Sequence, residues 1–290
     1  MSAASRLNAA CKYLGPFSLG LRGALEYRAN FAFSLLGAVA PVMIQTALWT
    51  CLYARGAGAS APSPQGMAGS GGGLQLFGVT YTQMLGYVVV ANIVSRLVRT
   101  GFEYDLNDDI KSGGLDRYLV KPIDYFGFRM AQFAGAKSAE TLFMGIALAA
   151  ALAALSVFAG FSATPLAILG FVAALLLAFA LNFLIFWCVG LLGFWLAQIG
   201  FLFEAARIVI ITASGGIFPL SVFGPRFEPV LAAMPFRFTI QFPTDVLCGR
   251  VARADLASGL AAGALWLILL LALTRAIWAA GIRRFVALGS

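Results

Sequence analysis

Histidine is absent from the 290 residues, cysteine occurs four times, and charged residues make up only 11% of the chain. Without histidine there is no imidazole for a common zinc site and no general base for a hydrolytic triad. Cys11, Cys51, Cys188 and Cys248 form no CxxC pair. They read as apolar filler, with a disulfide between Cys51 and Cys248 left open because both fall near one membrane face. A phosphate-binding GxxxxGK[ST] loop is also missing. Gly135-Ala136-Lys137-Ser138 comes nearest, but it lacks glycine directly before the lysine and the upstream glycine. Neither GxSxG nor HExxH occurs, so serine hydrolases and zincins are excluded as well. The residues therefore predict no catalytic site, no metal and no cofactor bound by this chain.

Apolar sequence fills the space that charge leaves. Hydrophobic residues make up 61% of the chain, whereas a soluble domain is about half apolar and about a quarter charged. Such composition calls for lipid as solvent. Phe31 to Tyr53 runs 23 residues without a charge, and about 20 apolar residues span a bilayer. Further apolar segments follow at 79–99, 138–161, 165–190, 198–219 and 256–280. The sequence thus predicts an all-α integral membrane protein, one transmembrane domain over 1–290 with six transmembrane helices. Residues 1–30 carry an apolar stripe of Leu7, Cys11, Leu14, Leu21 and Leu25. This predicts an interfacial helix that breaks or kinks at Gly15-Pro16. Residues 55–78 are rich in Gly, Ala, Ser and Pro and predict a flexible loop.

Net charge is +8, but no basic run with interleaved aromatics or nucleic-acid motif appears. The basic residues instead flank the apolar segments. With six spans both termini share a side, and 15 of the 20 Lys and Arg residues fall on it. The positive-inside rule then puts both termini and the charged loop 100–137 in the cytosol, in a plasma membrane such as the bacterial inner membrane.

That loop contains Ser112, Gly113, Gly114, Leu115, Asp116, Arg117, Tyr118, Leu119 and, after Lys121, Pro122. Ser112 suits a helix N-cap, Pro122 a stop, and Leu115, Tyr118 and Leu119 share one face at i, i+3 and i+4. Composition alone favours a loop helix resting on the headgroups. The segment resembles the coupling loop of ABC-2 family permeases, in a bacterial branch with Gly-x-Leu-Asp-x-Tyr-Leu-x-Lys-Pro-Ile here and Gly-Gly-x-x-Phe-Pro before a Pro/Phe-rich break. Gly113 to Ile123 meet the first pattern, and Gly215-Gly216-Ile217-Phe218-Pro219 follow the second with one residue fewer before Phe-Pro. The resemblance implies a permease subunit of an ATP-driven transporter, an exporter by the same resemblance. Its partners would be an ATP-binding cassette ATPase dimer, which holds ATP and Mg, and a second permease, identical or homologous. The helix around Gly113 to Val120 would then present its apolar face to the ATPase.

Two further groups have two readings each. Glu204 and Arg207, at i and i+3, are either a gate or substrate contact or an interfacial pair that snorkels to water. The break at 220–255, with Phe218, Pro219, Pro235, Phe236 and Pro243, is either aromatic belt or, as the resemblance implies, two re-entrant helices that do not cross. The alternative function is a self-contained secondary transporter. It calls for ionisable groups in mid-span and an internal repeat, and neither is evident. A membrane-embedded enzyme is set aside with histidine. The transported substrate has no signature in these residues.

Overall fold

The computed structural model describes residues 3–26, 28–56, 79–119, 124–159, 164–196 and 198–289. These residues are helical, with no β-strand among them. In chain order the helices are α1 (Ala3–Glu26), α2 (Arg28–Gly56), α3 (Tyr81–Val98), α4 (Phe102–Lys111), α5 (Asp116–Leu119), α6 (Tyr125–Ala159) and α7 (Pro165–Leu191). Then follow α8 (Gly200–Ala213), α9 (Glu228–Ala233), α10 (Gln241–Leu247) and α11 (Arg253–Gly289). Among the described residues four stretches are long and apolar enough to cross a membrane: Tyr81–Lys111, Tyr125–Val157, Pro165–Phe194 and Arg253–Arg284.

Helix α7 is the axis of the fold. Thr164 caps it, its hydroxyl accepting from the Ala167 N–H at 3.2 Å, and Pro165 occupies the first turn, where its missing N–H costs nothing. Helices α3, α4, α10 and α11 pack around it. The face they leave open carries Leu166, Ile168, Leu169, Val172 and Leu176, so α7 has no polar stripe, as expected of a membrane span. Its Phe183 and Trp187 stack with each other at 5.5 Å, and Phe102 of α4 stacks on Phe183 at 4.4 Å. Asn182, buried in the same helix, donates to the Val98 carbonyl at the end of α3. That bond satisfies one of the orphan carbonyls at a helix C-terminus. A second, smaller cluster joins Trp49 and Tyr53 of α2 to Tyr81, Met84 and Val88 of α3.

The structure corrects several boundaries. Helix α1 continues through Gly15-Pro16 instead of breaking there. The helix is held against α6 at backbone distance: a Cβ added at Gly20 would lie 2.0 Å from the Gln132 carbonyl oxygen, and one at Gly135 2.0 Å from that of Phe17. Such support outweighs the one hydrogen bond that Pro16 removes. The helix expected from residue 138 begins at Tyr125, because Asp124 caps it by accepting from the Gly127 N–H at 2.9 Å. Its first turns read as loop because Arg129 and Lys137 continue the charge cluster that precedes them. The segment expected to span at 198–219 is a helix of 14 residues, about 21 Å long against about 30 Å of hydrocarbon. Ser214 caps its end and Gly215, at φ +80°, turns the chain away. The loop at 57–78 lies outside the described residues.

Candidate functional site

The charged segment between α3 and α6 is a packed hairpin, and it is the most informative part of the molecule. Helix α3 ends at Val98, and Arg99 to Gly101 form a short break. Helix α4 then buries Phe102, Glu103, Leu106, Asn107 and Ile110. Those positions recur every three to four residues, so α4 lays one face on the bundle and keeps the other in water. Leu106 fits against Gly190 of α7, where an added Cβ would come within 2.7 Å of it.

Gly113 stops α4 in the left-handed region, at φ +71°, where glycine carries no Cβ penalty. Ser112 does not cap a following helix, as expected, but closes the preceding one: its hydroxyl donates to the Asp108 carbonyl at 2.6 Å. The Leu115 N–H returns to the Asp109 carbonyl at 3.0 Å. Gly114 is buried, with space for a Cβ blocked by Asp109 at 2.9 Å. Asp116 and Leu119 bound the single turn of α5. The side chains of Arg117 and Leu119, and the whole of Pro122, lie outside the described residues.

Two residues of the expected outward apolar face, Leu115 and Tyr118, pack on this chain itself. Leu115 is 0% exposed and belongs to this chain's own core. Tyr118 packs edge-on to Tyr125 at 4.9 Å and beside Phe128 at 5.0 Å. Both residues therefore fasten the hairpin to α6 rather than offering themselves to a partner. Among the described residues, Asp108, Lys111, Ser112 and Asp116 are exposed at the tip of the hairpin, and Tyr104 and Asp105 nearer its base.

A polar knot under the hairpin completes the attachment. Arg129 of α6, its side chain 8% exposed, reaches Asp105 at 3.2 Å and pairs with Asp109, while its Nε donates to the Tyr125 hydroxyl at 3.1 Å. The Tyr125 hydroxyl donates in turn to Asp109 at 2.6 Å, and the ring stacks on Trp278 of α11 at 5.8 Å. Four helices thus meet at the hairpin. Sequence reading missed Arg129, Asp109 and Tyr125. The available signal was the pair Asp105 and Asp109, one turn apart on the same edge of α4.

Glu204 and Arg207 are brought together less closely than their spacing implied. Arg207 Nε lies 3.9 Å from Glu204, but Nη2 donates to Glu103 at 2.6 Å, and the Glu103 side chain is 0% exposed. The principal partner of Arg207 is therefore Glu103, on α4. Glu204 instead accepts from the Tyr104 hydroxyl. Arg207 also sits over the Phe186 ring at 5.6 Å. A cavity of about 160 Å³ opens beside it, lined by Ser95, Arg99, Asn182 and Thr239 among others.

At the other end, four short helical pieces fill 220–247: the 3-10 turns Leu220–Phe223 and Pro235–Thr239, with α9 and α10. Gly215 approaches α3 so closely that a Cβ would meet the Tyr87 hydroxyl at 2.8 Å, and that hydroxyl donates to the Gly215 carbonyl at 2.6 Å. Phe218 meets Trp49 edge-on at 6.3 Å, and Pro219 is buried. Pro235 opens its 3-10 turn, Phe236 packs against the core, and Pro243 is buried in the first turn of α10, where a missing N–H is tolerated. Asp245 pairs with Arg250 at 3.6 Å. Burial pushes its carboxyl above the usual range, and Arg250 opposes that shift. Cys51 and Cys248 are free thiols. No group of three or more metal-ligating side chains occurs among the described residues.

The family description "ABC-2 family transporter protein" matches residues 73–289, a range that begins before α3 and includes the hairpin, both glycine turns and α11. The chain belongs to the ABC-2 transporter family. No curated protein and no solved structure matches it. As an ABC-2 permease it is a multi-pass membrane transport component, of a kind that has no ATPase site of its own.

Proposed function

We propose that this ABC-2 permease forms half of the substrate pathway of an ATP-driven exporter, with a second permease, identical or homologous, supplying the other half. Six spans carry it: the uncharged run 31–53 in α2, then α3, α6, α7, the 198–219 segment, in which α8 covers about 21 Å and the turn after Ser214 the remainder, and α11. Both termini and the hairpin face the cytosol across a plasma membrane, and the 220–255 pieces re-enter from the other side. A separate ATP-binding cassette ATPase dimer, holding ATP and Mg, drives the cycle.

The observation that carries this reading is the attachment of the hairpin. Arg129 ties it to α6, Leu106 to α7, and Tyr125 to α11 through Trp278. A push on α4 and α5 is therefore delivered to the spans as rigid-body displacement, because packed interfaces do not deform continuously. The contact with the ATPase falls on Asp108, Lys111, Ser112 and Asp116, the groups exposed at its tip. Purification of the tagged chain without crosslinker tests the reading. An ATP-hydrolysing subunit is expected to co-elute, and the chain freed of it is expected to bind no nucleotide. Nucleotide binding by the isolated chain, or a fully active transporter with no ATPase present, would overturn it.

A further inference from the structure

Helix α8 is held lightly along its length. Of its 14 residues only Phe203 and Ile210 are buried, while Phe201, Ile208 and Val209 are exposed. It packs on α7 and on the 3-10 turn Pro235–Thr239. Both its ends are breaks in the backbone. Leu196, Gln198 and Ile199 ahead of it are not helical, and Gly215, at φ +80°, turns the chain after it. A helix with few buried contacts, set between two such breaks, can shift as a unit without unpacking its neighbours.

What fastens α8 is at its two ends. Two successive residues of α4 clamp its first turns. Arg207 Nη2 donates to Glu103 at 2.6 Å, and Glu204 accepts from the Tyr104 hydroxyl. The Tyr104 ring also meets Phe203 edge-on at 5.0 Å. The Glu103 side chain is fully buried and that of Arg207 largely so. An ion pair taken out of water adds little net stability, but separating its members strands a charge, which is strongly unfavourable. Apolar faces can slide past each other; this pair fixes the register of α8 on α4. At the far end the Gly215 carbonyl accepts from the Tyr87 hydroxyl at 2.6 Å, and the Ser214 carbonyl from the Gln241 N–H at 3.0 Å. Helix α8 thus joins the hairpin to α3 and α10 across about 21 Å. We propose that Glu103 and Arg207 are positioning residues of the transport cycle: they lock α8 to α4, so that displacement of the hairpin moves α8 as a lever and reaches the Gly215 turn. The lever presupposes a hairpin driven by an ATPase, as proposed above, and adds the span that responds and the link through which it does.

Hydrogen exchange of the full chain with its co-purified ATPase subunit, with and without Mg and a non-hydrolysable ATP analogue, tests this. In wild type the analogue is expected to change exchange over 102–111 and over 200–213 together. The double variant Glu103→Leu with Arg207→Met replaces the pair by apolar side chains of similar size, which a fold commonly tolerates, and leaves the tip of the hairpin untouched. Its 102–111 amides should still respond to the analogue, and its 200–213 amides should lose the response. Tyr104→Phe, at an exposed position, keeps the ring on Phe203 and removes only the bond to Glu204, so both responses should persist. A wild-type complex in which 102–111 responds and 200–213 does not overturns the lever and leaves the driven hairpin standing. So does a double variant whose 200–213 amides respond as in wild type. Absence of any response over 102–111 in the wild-type complex would remove the driven hairpin, and the lever with it.

Discussion

Replacing Arg129 with Met keeps the length of the side chain and removes its charge. Four groups lose a partner: Asp105 at 3.2 Å, the Tyr125 hydroxyl at 3.1 Å, the Gln132 side-chain oxygen at 3.1 Å, and Asp109. Asp105 has a side chain 61% exposed, so water replaces the arginine and the loss is under about 1 kcal/mol. Asp109 is 21% exposed and keeps the Tyr125 hydroxyl at 2.6 Å. Leaving a buried charge unpaired costs about 3–5 kcal/mol, and the surviving hydrogen bond and partial hydration put this case at the lower end. About 3 kcal/mol corresponds to a roughly 100-fold rise in local opening of α4, because the hairpin separates from α6 without the whole bundle unfolding. Hydrogen exchange of the amides over 102–111 reads this directly. Those amides are expected to exchange about 100-fold faster in Arg129→Met, while α7 amides keep their protection. Asp105→Asn, which touches only the exposed pair, should change exchange by less than about fivefold. Unchanged exchange over 102–111 in Arg129→Met would refute the idea that this arginine fastens the hairpin.

Leu115→Asp should fail to give a monodisperse protein, since it places an unpaired charge at a position that is 0% exposed; size-exclusion chromatography in detergent distinguishes that from a folded but uncoupled variant. Gly20→Val should detach α1 from α6, because its Cβ would meet the Gln132 carbonyl oxygen at 2.0 Å. Overpacking of this kind costs about 1–3 kcal/mol, and faster tryptic cleavage at the exposed Arg22 is the readout. Arg207→Met alone strands the carboxylate of Glu103, at a cost of about 3–5 kcal/mol in thermal or denaturant unfolding. The double variant Glu103→Leu with Arg207→Met should recover most of that, and a double-mutant cycle showing simple additivity would dissolve the pair.

The long helices were legible because their signal is local. An uncharged run such as that within α7, or a threonine followed by proline at 164–165, declares itself in the sequence. The hairpin was not legible as a fold, because what makes it one is paired at a distance. Asp109 meets Tyr125 16 residues away, Arg129 meets Asp105 24 away, and Glu103 meets Arg207 104 away. Read one by one, those charges signal water and a loop. The i, i+3, i+4 spacing of Leu115, Tyr118 and Leu119 carries no information on which way such a face turns. Leu115 is turned inward where Gly113, at φ +71°, reverses the chain over α4. Hydropathy also overran at 198–219, where apolar residues continue but the helix stops at Ser214 and Gly215. At Pro16 the opposite error applied, since a local breaker was overridden by packing on α6.

The most direct measurement is whether the outward face of the hairpin holds an ATPase. Reversing the exposed charges together, Asp108→Lys, Lys111→Glu and Asp116→Lys, leaves Leu115, Arg129 and the core untouched. The variant should stay monodisperse, because isolated surface substitutions usually change stability by less than about 0.5 kcal/mol each. The tagged wild-type chain is expected to co-purify with an ATP-hydrolysing subunit, and the reversed chain to lose that subunit and its ATP hydrolysis together. A well-folded reversed chain that keeps both at wild-type levels would contradict the assignment of this hairpin as the point where ATP drives the permease.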